Sequence, residues 1–129
     1  MSRILVVEDD TAQRFLVDVI LKRKDYEMVG VGRADDALEL LDTDDCFDVI
    51  LADYRLPGMD GVDFVRELQR DYADIPVVVM SVQSGHQWTD EAYAAGAAAA
   101  LIKPFFGPEL IATLEAVLRK QPDPCSPSP

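Results

Sequence analysis

Basic residues are scarce in this sequence. Twelve Lys and Arg stand against twenty-four Asp and Glu, a formal charge of −12. That balance argues against nonspecific binding to DNA, RNA or an anionic membrane surface, and suits a partner with a basic face or a bound cation. Cysteine is scarce too. Cys46 and Cys125 lie far apart, which points to no disulfide framework and no zinc site. The single histidine, His86, falls in a polar loop and reads as exposed and not a ligand. No apolar run approaches the ~18 residues of a membrane span, and no signal peptide precedes the first strand, so a cytoplasmic protein is expected.

What remains is a globular composition, 49% hydrophobic over 129 residues, enough for one domain with one core. Short apolar runs with β-branched residues alternate with stretches of helical period. Strands are expected at 4–7, 26–31, 49–52, 76–80 and 97–102. Helices are expected at 11–24, 33–43, 61–71 and 89–95, and a last one opens near Pro108. The first helix is expected to bury Ala12, Phe15, Leu16, Val19 and Ile20. The acidic residues Asp35, Asp36, Glu39, Asp42, Asp44 and Asp45, on or after the other face of the second helix, read as a solvated surface. Residues 1–120 are expected to form the folded domain. Residues 121–129, with four prolines and two serines, read as a disordered tail. Five strands alternating with five helices imply a (βα)5 doubly wound, flavodoxin-like parallel sheet with helices on both faces.

In a parallel sheet every strand ends on the same edge. Here the first strand ends on Glu8 and Asp9, the third on Asp53, the fourth on Ser81 and the fifth on Lys103. With strand order 2-1-3-4-5, the first and third strands flank the switch point where such sheets bind ligands. Three carboxylates, a hydroxyl and an ammonium then converge. An all-oxygen acidic set points to a hard cation, Mg2+ first and Mn2+ as a substitute. Three carboxylates and one lysine sum to −2, which a divalent ion neutralises. Asp53 is then a candidate nucleophile toward phosphorus.

These residues resemble the receiver domain of two-component response regulators, in the single-domain form typical of chemotaxis. The resemblance rests on Ile4-Leu5-Val6-Val7-Glu8-Asp9-Asp10, on Asp53 within Leu51-Ala52-Asp53-Tyr54-Arg55-Leu56-Pro57-Gly58-Met59-Asp60-Gly61, on Ser81 after Pro76-Val77-Val78-Val79-Met80, and on Lys103-Pro104-Phe105. It covers about residues 3–120. It implies a phosphoprotein switch with Asp53 as phosphoacceptor. It further implies Mg2+ held by Glu8, Asp9, Asp53 and the backbone carbonyl of Arg55, and Ser81 and Lys103 on the phosphoryl group. The implied donor is a phosphohistidine on a sensor histidine kinase or a histidine phosphotransfer protein of a phosphorelay. The Lys103-Pro104 bond is expected to be cis. Output would pass through protein contact, with homodimerisation as one form of it, and no nucleic acid or membrane is expected.

Three positions depart from the usual pattern. Ala100 stands where receivers often carry a switching Tyr or Phe, so that aromatic readout is missing. Arg55, two after Asp53, and Val82, after Ser81, are placed with Gln83 to modulate the rate of phosphate loss. Trp88 is expected to pack on the fourth helix. Two other readings stand beside the switch. One is a receiver cut from a larger regulator or hybrid kinase. The other is a Mg2+-dependent aspartyl phosphohydrolase of the haloacid dehalogenase type. That class wants a second Asp two after the nucleophile, and Arg55 occupies the place.

Overall fold

A computed structural model describes residues 2–82 and 87–119. Each apolar run forms a strand, and each is paired with its neighbours in parallel. The elements in order are β1 (Arg3–Val7), α1 (Thr11–Lys22), β2 (Glu27–Val31), α2 (Ala34–Thr43), β3 (Val49–Asp53), β4 (Arg55–Leu56), β5 (Met59–Asp60), α3 (Gly61–Asp71), β6 (Val77–Ser81), α4 (Gln87–Ala95), β7 (Ala99–Ile102) and α5 (Gly107–Arg119). The main sheet has the order β2-β1-β3-β6-β7. This is the expected 2-1-3-4-5 topology once the short β4–β5 hairpin is set aside.

Two apolar layers sandwich the sheet, and the strand alternation divides them. Leu5, Val7, Ile50, Ala52, Val77 and Val79 face α2, α3 and α4. Ile4, Val6, Val49, Leu51, Val78 and Met80 face α1 and α5. Both faces are covered, which is why these strands read as continuous hydrophobic runs. Among the described residues no helix is long and apolar enough to cross a membrane.

The sequence and the fold differ at three places. Helix α1 buries Val17 and Leu21, while Phe15 and Leu16 are exposed. The helix is apolar over most of its circumference, so period alone left its rotation open. It also ends at Lys22, because Asp25 takes a positive φ of 60° and turns the chain into β2. The β4–β5 hairpin was not expected, since two-residue strands carry no periodic signal. Its turn is nonetheless written in Pro57-Gly58, with Gly58 at φ 82° in the conformation that a type II turn requires. Gln83, His86 and residues 120–129 lie outside the described residues.

Candidate functional site

The acidic run after β1 splits into three different jobs. Glu8 continues the ladder, its N–H donating to the Val31 carbonyl at 3.0 Å, and its side chain is buried at 1% exposure. Asp9 is exposed at the mouth of the edge. Asp10 caps α1, its carboxylate accepting from the N–H groups of Ala12 and Gln13. Of the three, Glu8 and Asp9 are the acids whose oxygens gather with Asp53.

Asp53 is the last residue of β3, opposite Met80 in the register of β6. Ser81, the last residue of β6, is 2% exposed and stands opposite Ile102. The Lys103 N–H donates to the Ser81 carbonyl at 2.8 Å, so the ladder itself sets Ser81 and Lys103 side by side. The Lys103-Pro104 bond is cis, as expected.

The side chains meet across these strand ends. Oxygens of Glu8, Asp9 and Asp53 all lie within 4.8 Å of one another. The Lys103 ammonium donates to Glu8 Oε2 at 2.7 Å and to Asp53 Oδ2 at 3.2 Å. The backbone N–H of Arg55 donates to Asp53 Oδ1 at 3.2 Å, and that of Asp10 to Glu8 Oε1 at 3.2 Å. Burial pushes the Glu8 carboxyl above its ordinary range. Asp53 adds to that, and the bond from Lys103 offsets part of it. Burial pulls Lys103 down, but the bond to Glu8 and the charges of Asp53 and Glu8 outweigh it and hold the ammonium above its usual pKa. One ammonium thus sits against three acids, and the excess is negative.

This donor set fits a hard divalent cation. It is all oxygen, two of its three acids are open or half-open, and the one buried acid is disfavoured as a carboxylate without more positive charge.

Arg55 and Val82 are exposed at the rim, Val82 at 71%. Trp88 is 3% exposed and lies within α4 with its ring in the core, where it was expected to precede that helix and pack onto it. Two residues at the site escaped the sequence reading. Arg14 reaches back from α1 and donates to the Glu8 carbonyl at 2.7 Å. It crosses Gly30, where a Cβ would come within 2.9 Å of its Cδ, so the bare backbone of β2 makes its channel. Tyr54, directly after Asp53, contacts α4. An Arg four residues into α1, over Gly30 of the next strand and Gly32 just past it, is a readable signal. The Tyr54 contact is not, because its partner lies 37 residues away.

A doubly wound sheet with an acidic, lysine-bridged carboxyl edge is the architecture of receiver domains. The chain belongs to that family: the response regulator receiver domain model matches residues 4–115. The match leaves the phosphohydrolase reading without support. Among curated relatives, a two-component response regulator of Arabidopsis thaliana, ARR14, is 35% identical over 120 residues, 92% of this chain and 31% of its own length. The phosphate regulon transcriptional regulatory protein PhoB of Escherichia coli is 34% identical, over 92% of this chain and 52% of its own. The chain thus spans about a third to a half of these relatives. Among solved structures, the chemotaxis response regulator CheY4 of Vibrio cholerae superposes with a TM-score of 0.84 at 29% identity, covering 91% of this chain and 98% of that one. The receiver domain of the sensor histidine kinase PA1611 from Pseudomonas aeruginosa, solved with magnesium in its active-site cleft, gives a TM-score of 0.83 at 25% identity, over 92% and 98%.

Proposed function

We propose that Asp53 is the phosphoacceptor of a two-component or phosphorelay switch. The observation that carries this reading is the juxtaposition at the carboxyl edge: three carboxylates within 4.8 Å, with Lys103 bonded to both Glu8 and Asp53.

An Asp53 carboxylate oxygen attacks the phosphorus of a phosphohistidine. The new O–P bond makes an acyl phosphate, the P–N bond breaks, and its electron pair leaves with the imidazole, which takes up a proton. The donor is a sensor histidine kinase or a histidine phosphotransfer protein. Glu8, Asp9, Asp53 and the backbone carbonyl of Arg55 are the groups that would hold Mg2+, with Mn2+ able to use the same oxygens. The ion would supply positive charge to the phosphoryl oxygens. The magnesium in the related PA1611 receiver supports this choice of metal. Lys103 is then released from part of its carboxylate pairing to meet the phosphoryl oxygens, and the Ser81 hydroxyl donates to them. Arg55, Val82 and Gln83 set how fast water removes the group.

The folded unit, residues 1–120, acts in the cytoplasm. It catalyses only its own phosphorylation and dephosphorylation, and it signals by contact with a downstream protein or a second copy. The charge of −12 leaves nucleic acid and membrane as poor partners.

Acetyl phosphate with Mg2+ tests the reading. The expected result is a stoichiometric adduct on the wild type and none on Asp53→Asn. Steady turnover of a phosphomonoester without an adduct would overturn it in favour of a phosphohydrolase.

A further inference from the structure

Tyr54 has no residue of slack between it and Asp53, and its backbone is held on both sides. Its N–H donates to the Met80 carbonyl at 2.7 Å, and its carbonyl accepts from the Gly61 N–H at 2.8 Å. Gly61 fits so closely that a Cβ there would lie 2.3 Å from the Tyr54 oxygen. A shift of the backbone at residues 53–54 is therefore passed on and not absorbed locally.

The side chain carries such a shift across to α4. Tyr54 is buried, at 9% exposure. Its ring meets Trp88 edge-on, with centroids 5.5 Å apart and planes at 64°. Its hydroxyl donates to Glu91 Oε2 at 2.9 Å. Burial, with the bond to Glu91, pushes the phenol up to about 12, so it remains a donor at neutral pH. Position 100, on the β7 side, is Ala and offers no ring of its own.

We infer that Tyr54 is the positioning residue that couples the state of Asp53 to α4, through the bond to Glu91 and the ring contact with Trp88. This rests on Asp53 being the phosphoacceptor. In the unmodified protein the Tyr54–Glu91 bond holds α4 against the core. A phosphoryl group on Asp53 draws Lys103 and its neighbours to new partners, and the strand end carrying Tyr54 moves with them. The bond to Glu91 weakens, and α4 loosens. The differential contact required of any such coupling is this one hydrogen bond. A competing route runs through α3, where Gln69 Nε2 donates to the Gly96 carbonyl at 3.0 Å, just past the end of α4.

Amide hydrogen exchange over residues 87–95 of the full chain, with and without acetyl phosphate and Mg2+, tests the inference, with the adduct followed by intact mass in the same samples. In the wild type, phosphorylation is expected to speed exchange in α4 roughly fivefold, the loss of about one hydrogen bond. Tyr54→Phe keeps the ring and Glu91→Ala changes an exposed residue, so both should fold. Each is expected to speed α4 exchange by a similar factor before phosphorylation and to cut the further response below about twofold. Gln69→Ala is expected to leave the response intact. An undiminished response in Tyr54→Phe and Glu91→Ala, a response abolished by Gln69→Ala, or an adduct without any change in wild-type α4 would each overturn the coupling alone. Absence of an adduct in every protein would overturn the phosphoacceptor reading and the coupling with it.

Discussion

Lys103 and Glu8 are 95 residues apart in sequence and 2.7 Å apart in space. Glu8 is 1% exposed and the Lys103 side chain 11%, so the pair is desolvated and its loss is not screened away. Lys103→Met strands Glu8 and Asp53 without their ammonium. It is expected to cost about 3 kcal/mol at pH 7 in the absence of divalent ions, read from urea unfolding. The reverse change, Glu8→Gln, is expected to stabilise the protein at pH 7. The Glu8 carboxyl is raised, chiefly by burial, so its contribution to stability falls as pH climbs from the ordinary glutamate value through the raised one. Removing the ionisable group removes that loss. A destabilised Glu8→Gln at pH 7 would mean that burial and repulsion do not outweigh the bond from Lys103.

The tight seat of Gly61 under Tyr54 gives a second expectation. Gly61→Ala places a methyl 2.3 Å from the Tyr54 carbonyl oxygen, against backbone that cannot swing aside. It should cost about 2 kcal/mol, in the range of overpacked sites, although Ala is otherwise the better helix residue at the start of α3. Thermal unfolding against the wild type checks this.

Acid should remove a different contact, at the opposite end of the sheet. The Arg3 guanidinium donates to Asp44, and the Cys46 N–H does the same, holding that carboxyl below its ordinary range. A depressed carboxyl stabilises above its unfolded pKa, and the contribution is lost as pH falls through the folded one. Asp44→Asn should therefore be less stable than the wild type at pH 7. The gap should close below about pH 4 as Asp44 is protonated in the unfolded and then the folded chain. Denaturant titrations at pH 7 and pH 3 measure it. A gap that persists unchanged at pH 3 would assign the loss to geometry and not to charge.

If the proposed role of the rim is right, Arg55 and Val82 slow the loss of phosphate. Arg55 is two residues after Asp53 and Val82 directly follows Ser81, and both are exposed. Arg55→Asn and Val82→Ala are each expected to speed acyl-phosphate decay severalfold, a barrier change of about 1 kcal/mol. Decay that is unchanged or slower in both variants would show that these residues do not slow the loss of phosphate.

Much of this fold was legible in the sequence because the strands are buried on both faces and end on chemically loud residues. Ile4 to Val7 running into Glu8-Asp9, and Val49 to Ala52 into Asp53, mark both the strands and the edge. Lys103 was readable because topology forces all these ends together. The rotation of α1 was not, since Phe15, Leu16, Val17, Val19 and Ile20 offer several apolar faces and the sheet chooses one. The Tyr54–Glu91 and Arg14–Glu8 contacts were hidden for another reason. They depend on which side chain reaches across a gap, and no periodicity records that.

Whether Asp53 carries the phosphoryl group can be read at the level of the residue. The full chain is treated with acetyl phosphate in Mg2+ or in excess chelator, digested under mild acid, and the modified position located by peptide mass. One phosphoryl group is expected, on the peptide containing Asp53, formed with Mg2+ and lost with chelator or in Asp9→Asn. A phosphoryl group on any other residue, or one formed equally well without a divalent ion, would contradict this expectation.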